Sequence, residues 1–177
     1  MSLSTPAVSV TTSTLPAFPA KEDELPSAND IRLVLRKNML ALATNQDSRR
    51  LTLSHLLFEL RGFKGAGGNI LKNMSTRNKV FNPARLKEEL GLNNELREDN
   101  SDILISSLVE KVFLRAEIIQ KENNLKNICS GVVLAALLEV INEKPENPES
   151  EEEIRPVKEL IGYMPESAML TRLIIRK

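Results

Sequence analysis

From residue 29 onward, apolar positions recur at helical spacing. Leu35, Met39 and Ala43 lie four residues apart in a stretch that Asn29 or Asp30 can cap, so the spacing predicts a helix over 31–43 with one buried face. A polar turn over 44–50 leads into the Leu-rich run 51–60, read as a short second helix that ends at Gly62. The glycines from Gly62 to Gly68 predict a flexible connection, and 71–83 reads as a loop with scattered hydrophobes. Pro83 can start a helix over 84–90 that Gly91 terminates, and 94–98 adds a short turn.

A longer helix is predicted over 102–121. Ser101 is its expected cap, and Leu104, Leu108, Val112, Ala116 and Ile119 form its buried stripe. After the amide-rich turn 122–127, Ser130 caps a strongly apolar helix over 131–141. The run Glu149 to Arg155 is mostly acidic and reads as a solvated spacer. Short amphipathic helices are expected at 157–161 and 166–175. The resulting division is a disordered arm over 1–28, a helical domain over 29–143, a charged linker over 144–155 and an amphipathic C-terminal arm over 156–177.

Composition narrows the chemistry. The chain has 177 residues, 41% of them hydrophobic, enough for a sizeable core, and 24 basic residues balance 24 acidic ones. Such a balance gives no global attraction to nucleic acid or to an anionic membrane. The Pro-, Ser- and Thr-rich N-terminal stretch lacks the pattern of a signal peptide, so a cytoplasmic location is expected. Cys129 is the one cysteine and His55 the one histidine, which excludes an internal disulfide and leaves no recognisable Cys/His zinc set.

His55 lies in a Leu-rich helix with only Ser54 and Glu59 as oxygen-bearing neighbours in sequence, which favours a core or helix-surface histidine over a general base. Cys129 stands at a helix start with no histidine nearby, and Glu88, Glu89, Glu95 and Asp99 are scattered by helical spacing. The glycine-rich stretch has neither the Gly-Lys-Ser/Thr ending nor the preceding strand of a phosphate loop. Gly62 and Gly65 fit the spacing of a KH-type clamp, with Lys64, Lys72, Arg77 and Lys79 nearby, but the strands of such a module are missing. The expectation is therefore a protein without catalytic residues, metal or cofactor.

Two segments share one pattern. Leu51 to Leu60 and Ile128 to Leu137 each place an apolar residue before a small or capping residue and then an apolar run, and they start 77 residues apart. A longer amphipathic helix precedes each, which points to a duplicated helical unit joined through one core. The arrangement resembles the N-terminal double-repeat domain of Clp-type AAA+ unfoldases. Leu51, His55, Leu56, Leu57 and Leu60 match the first-repeat segment, and Ile128, Ser130, Val132, Val133 and Leu137 the second. Ala84, Arg85, Leu86, Leu90 and Gly91 match the intervening helix, and Ala116 stands sixteen residues before Val132 as in that family. Leu53 departs from the pattern where a capping Thr is usual, Val132 stands where a second histidine would be, and residues 62–83 look inserted.

The resemblance covers residues 29–143 and implies an all-α bundle of two divergent repeats that docks protein segments or an AAA+ unfoldase, as an adaptor or accessory protein. A groove between paired helices leads to the same expectation. Phe58, Phe63, Lys64, Phe81, Leu92, Phe113 and Leu138 are its candidate contacts, with Phe63 and Lys64 as exposed anchors on an adaptable loop. The C-terminal arm carries Leu170 and Leu173 and gives the alternative, an interaction or secreted effector protein whose arm is recognised by a chaperone or secretion machine. Oligomeric state is left open by these patterns.

Overall fold

In the computed structural model, the described residues are 30–45, 48–78 and 102–161, with the single positions 88, 90 and 92. They form six helices and one short parallel strand pair. The helices are α1 (Ile31–Asn45), α2 (Leu53–Gly62), α3 (Ala66–Asn78), α4 (Ser107–Glu122), α5 (Ser130–Asn142) and α6 (Pro148–Ile161). The strands are β1 (Arg50–Leu51) and β2 (Leu104–Ile105), with Arg50 opposite Leu104 and Leu51 opposite Ile105. The class is all-α.

Helix α5 sits at the centre because it is apolar on every side. Ser130 to Leu138, Val140 and Ile141 are all buried, and a helix without a polar face needs neighbours all round. It packs on α4, α3 and α6, while α2 packs on α1, α3 and α6. One hydrophobic core links these helices, with Leu35, Met39, Leu56, Leu57, Leu60, Val112, Phe113 and Leu137 among its buried members.

Polar groups fix the helix ends. At the start of α1 the Asp30 carboxylate accepts from Arg32 N at 2.9 Å and binds the Arg32 guanidinium, whose Nη1 donates to the Phe113 carbonyl of α4 at 3.2 Å. Helix α4 begins later than its sequence suggests. Ser106, not Ser101, caps it, with Oγ accepting from Leu108 N at 3.1 Å, because Leu104 and Ile105 are drawn into β2 by the bonds Leu104 N to Arg49 O and Ser106 N to Leu51 O. At its other end Asn124, at φ 52°, lets Leu125 N reach Gln120 O and Asn124 N reach Lys121 O, a Schellman closure.

Two further stretches depart from expectation. The segment 71–83, expected as a loop, is helical as far as Asn78, and the glycines before it are used for close approach. Gly67 and Gly68 are buried within α3; a Cβ on Gly67 would meet the Ser130 carbonyl and one on Gly68 the Phe63 carbonyl. Gly67 N also donates to Ser130 Oγ at 3.1 Å, so Ser130 ties α3 to α5 and Cys129 holds the N-cap position instead. The second change is in the stretch 144–155, which is helical from Pro148. Asn147 Oδ1 accepts from Ser150 N at 2.8 Å, Pro148 opens the first turn, and Glu149 and Glu151 lie at the positive end of the helix dipole. Ile154, Val157, Leu160 and Ile161 then bury one face.

The arm 1–28, the helix expected over 84–90, the turn over 94–98 and the helix over 166–175 lie outside the described residues, apart from Glu88 and Leu90. No helix among the described residues is long and apolar enough to cross a membrane.

Candidate functional site

A cleft of about 410 Å³ lies between the start of α2 and the length of α6. Strand β1 brings Arg50 to its edge, the turn into α2 brings Thr52, Ser54 and His55, and α6 contributes Glu149, Glu152, Glu153, Arg155, Pro156 and Glu159. Glu88, Leu90 and Leu92 line it from the other side. Five glutamates face two arginines, so the cleft is acidic.

Helical spacing explains the acidic wall. Glu149, Glu152, Glu153, Pro156 and Glu159 recur at three- and four-residue intervals and fall on one side of α6, while Ile154, Val157 and Ile161 turn inward. Glu153 is the deepest of these carboxylates, with a side chain only 9% exposed. Its Oε1 accepts from Leu53 N at 2.9 Å and its Oε2 from Ser106 Oγ at 2.7 Å. One carboxylate thus joins the N-termini of α2 and α4 to α6. Burial pushes its carboxyl above the ordinary range, aided by Glu149, and the bonds from Ser106 and Leu53 with the Arg50 charge oppose that rise. Arg50 in turn pairs with Glu149 and stands 3.9 Å from Glu153.

His55 is 3% exposed, and its Nδ1 accepts from Thr52 N at 3.1 Å, the reciprocal arm of a capping box in which imidazole takes the place of Glu or Gln. Burial holds the ring well below its usual value, down to about 4, so it is neutral at pH 7. With Nδ1 acting as acceptor, the proton resides on Nε2, and Nε2 has no hydrogen-bond partner among the described residues. A ring in this state has no free lone pair with which to accept a proton, so it is poorly suited to act as a general base. Among the described residues no group of three His, Cys, Asp or Glu side chains could hold a metal ion. Cys129 is exposed at the start of α5.

The residues expected to contact a partner are dispersed. Phe113, Leu138 and Leu92 are core residues at 1%, 3% and 3% exposure. Phe58 and Phe63 are half-buried against the core, and Lys64 is exposed between α2 and α3. Of these, Leu92 alone reaches the cleft, where its carbonyl accepts from Ser48 Oγ at 3.0 Å. Phe81, Leu170 and Leu173 lie outside the described residues. The sequence reading missed Arg50, Glu149, Glu152, Glu153 and Glu159. A usable signal was present in Asn147-Pro148 followed by acidic residues, a helix start that turns the acidic run into one face of a helix.

The fold and the cleft define a helical bundle with an acidic groove and a neutral, buried histidine in its wall. Comparison with protein-family models, curated proteins and solved structures gives no match for the chain.

Proposed function

We propose that this chain is a non-enzymatic protein-binding module, an adaptor or accessory protein built like the Clp N-terminal double repeat, that docks protein segments or an AAA+ unfoldase. The observation that carries the reading is the reciprocal packing of two three-helix sets. Helices α2 and α5 begin 77 residues apart, at Leu53 and Ser130, and α1 and α4 end 77 apart, at Asn45 and Glu122. In the packing, α3 of the first set lies on α5 of the second, and α6 of the second lies on α2 of the first. Such an exchange is what a duplicated unit with one shared core would produce. A groove at the junction is a natural place for an incoming segment.

The test is retention of partners from native cell extract by the full chain and by a chain ending at Ile161, which keeps all six helices. Recovery of an AAA+ unfoldase by both forms is the expected result. Recovery of a chaperone or secretion component by the full chain alone would favour recognition of the arm 162–177. Recovery of no protein partner by either form would overturn the module reading.

A further inference from the structure

Helix α6 owes its form to the surface it lies on. Pro156 stands inside it without an N–H, so the Glu152 carbonyl lacks its helical donor. Glu149 lies three and four residues before Glu152 and Glu153, a helical spacing at which like charges repel. Docking relieves part of that repulsion. Glu149 pairs with Arg50, and the Glu153 carboxylate accepts from Leu53 N at 2.9 Å and from Ser106 Oγ at 2.7 Å. One face of α6 is covered: Ile154, Val157, Leu160 and Ile161 are buried, while Glu151, Glu152, Arg155, Lys158 and Glu159 are exposed. The hinge before it, 143–147, is exposed apart from half-buried Pro145. Glu143 and Glu146 tie that hinge to Lys111 of α4 through exposed ion pairs of little strength. A poor helix on an exposed hinge, held by one buried stripe, opens at lower free energy than the core.

The surface that α6 covers is a built receptor. The first amide of α2, the hydroxyl that caps α4 and the Arg50 guanidinium, 3.9 Å from Glu153, converge on one carboxylate. Beside them lies the face of α2 and α5 on which α6 packs.

Given the protein-binding reading, on which this inference rests, we propose that α6 is a detachable occupant of the site at which the module takes its partner. The partner's segment is an amphipathic helix with a carboxylate one residue ahead of an apolar stripe spaced i, i+3, i+6 and i+7. That is the spacing of Glu153 with Ile154, Val157, Leu160 and Ile161. The tether holds α6 at an effective concentration in the millimolar range, so another helix displaces it by holding its shape more readily. A segment without an internal proline or crowded glutamates does so. A basic side chain in place of the carboxylate would meet repulsion from Arg50 and from the positive starts of α2 and α4.

The experiment uses the full chain and a capped, fluorescein-labelled peptide of residues 147–161 in which Pro156→Ala restores the missing N–H. In hydrogen exchange read by mass spectrometry, the chain's α6 amides are expected to exchange at least about tenfold faster than those of α5. The peptide should bind, as read by anisotropy, and should speed exchange of the chain's own α6 further by taking its place. Glu153→Ala in the peptide should weaken binding about tenfold, whereas Glu151→Gln, on the exposed side, should change it less than about twofold.

Exchange of α6 as slow as that of α5 would overturn the proposal. So would peptide binding that leaves α6 protected, equal binding of the Glu153→Ala peptide, or no binding at about 1 mM peptide. A dimer in light scattering that the peptide disperses would show α6 exchanged between two copies, and the partner's segment would give way to a second chain. The two readings fail separately: if α6 stays protected yet the chain retains an AAA+ unfoldase from extract, the module reading stands without this site.

Discussion

Along α5 the chain buries every side chain from Ser130 to Leu138, while along α6 only Ile154, Val157, Leu160 and Ile161 turn inward and the acidic face lines an open cleft. The two helices are consecutive, nearly equal in length and in contact. Their difference separates two tasks. Helix α5 can be removed from water only by neighbours on every side, so it organises the core. Helix α6 covers the α2 side of that core with one stripe and keeps a second face for charge. Stability is therefore expected to concentrate in α5 and recognition in α6.

The sharpest way to break that contrast is to open a cavity in each helix. Leu134→Ala, at a fully buried site of α5, should cost about 2–5 kcal/mol in urea unfolding. Val157→Ala, equally buried in α6, removes less and should cost under about 2 kcal/mol. Equal losses would show that α6 contributes to the core as fully as α5.

His55 tests the junction between the two regions through pH. Its folded value of about 4 lies below the ordinary 6.5, so the unfolded chain takes up the proton first. The histidine's contribution is complete above pH 6.5 and is lost on acidification toward pH 4, by on the order of 3 kcal/mol. Glu153 acts with the opposite sign: its raised carboxyl penalises the fold as pH rises past the ordinary carboxylate value, so acidification relieves that penalty. His55→Gln keeps an acceptor for Thr52 N–H and should flatten the slope between pH 4 and 6.5, measured by urea midpoints across that range. An unchanged slope would mean that the ring is not the titrating group.

A smaller effect is expected where α3 meets α5. Ser130→Ala leaves the Gly67 N–H buried without its 3.1 Å acceptor and should cost about 1–3 kcal/mol in the same unfolding assay. The smallest belongs to the cleft. Glu152→Gln should leave stability within about 0.5 kcal/mol, because its exposed carboxylate forms no ion pair with any described residue. A large loss there would turn the acidic face from a solvated surface into part of the scaffold.

Much of the fold was legible because the period of apolar residues directly reports helix faces. The helices at 31–45, 53–62, 107–122 and 130–142 follow from Leu35 and Met39, Leu56 and Leu60, Val112 and Ala116, and the unbroken run after Gly131. The beginning of α4 was not, since Leu104 fits a helical stripe as well as a strand and only the pairing with Arg50 decides between them. Nor was the start of α3, because Gly67 and Gly68 signal freedom to a local reading and close packing to a tertiary one. The acidic run 149–155 reads locally as a spacer, and the inward stripe of Ile154, Val157 and Ile161 on the core is what makes it one face of a helix.

By itself, then, the sequence determined the helical class and the principal core stripes, both properties of residue type and short-range spacing. Tertiary structure decided which faces meet: that Phe113 and Leu138 serve the core, that Glu153 joins the starts of α2 and α4 to the middle of α6, and that His55 shares a cleft with α6 about a hundred residues away. The physical reason is range. A helical period is written in neighbours three and four apart, whereas the depth of a side chain and the charge of a cleft are sums over segments that only folding brings together.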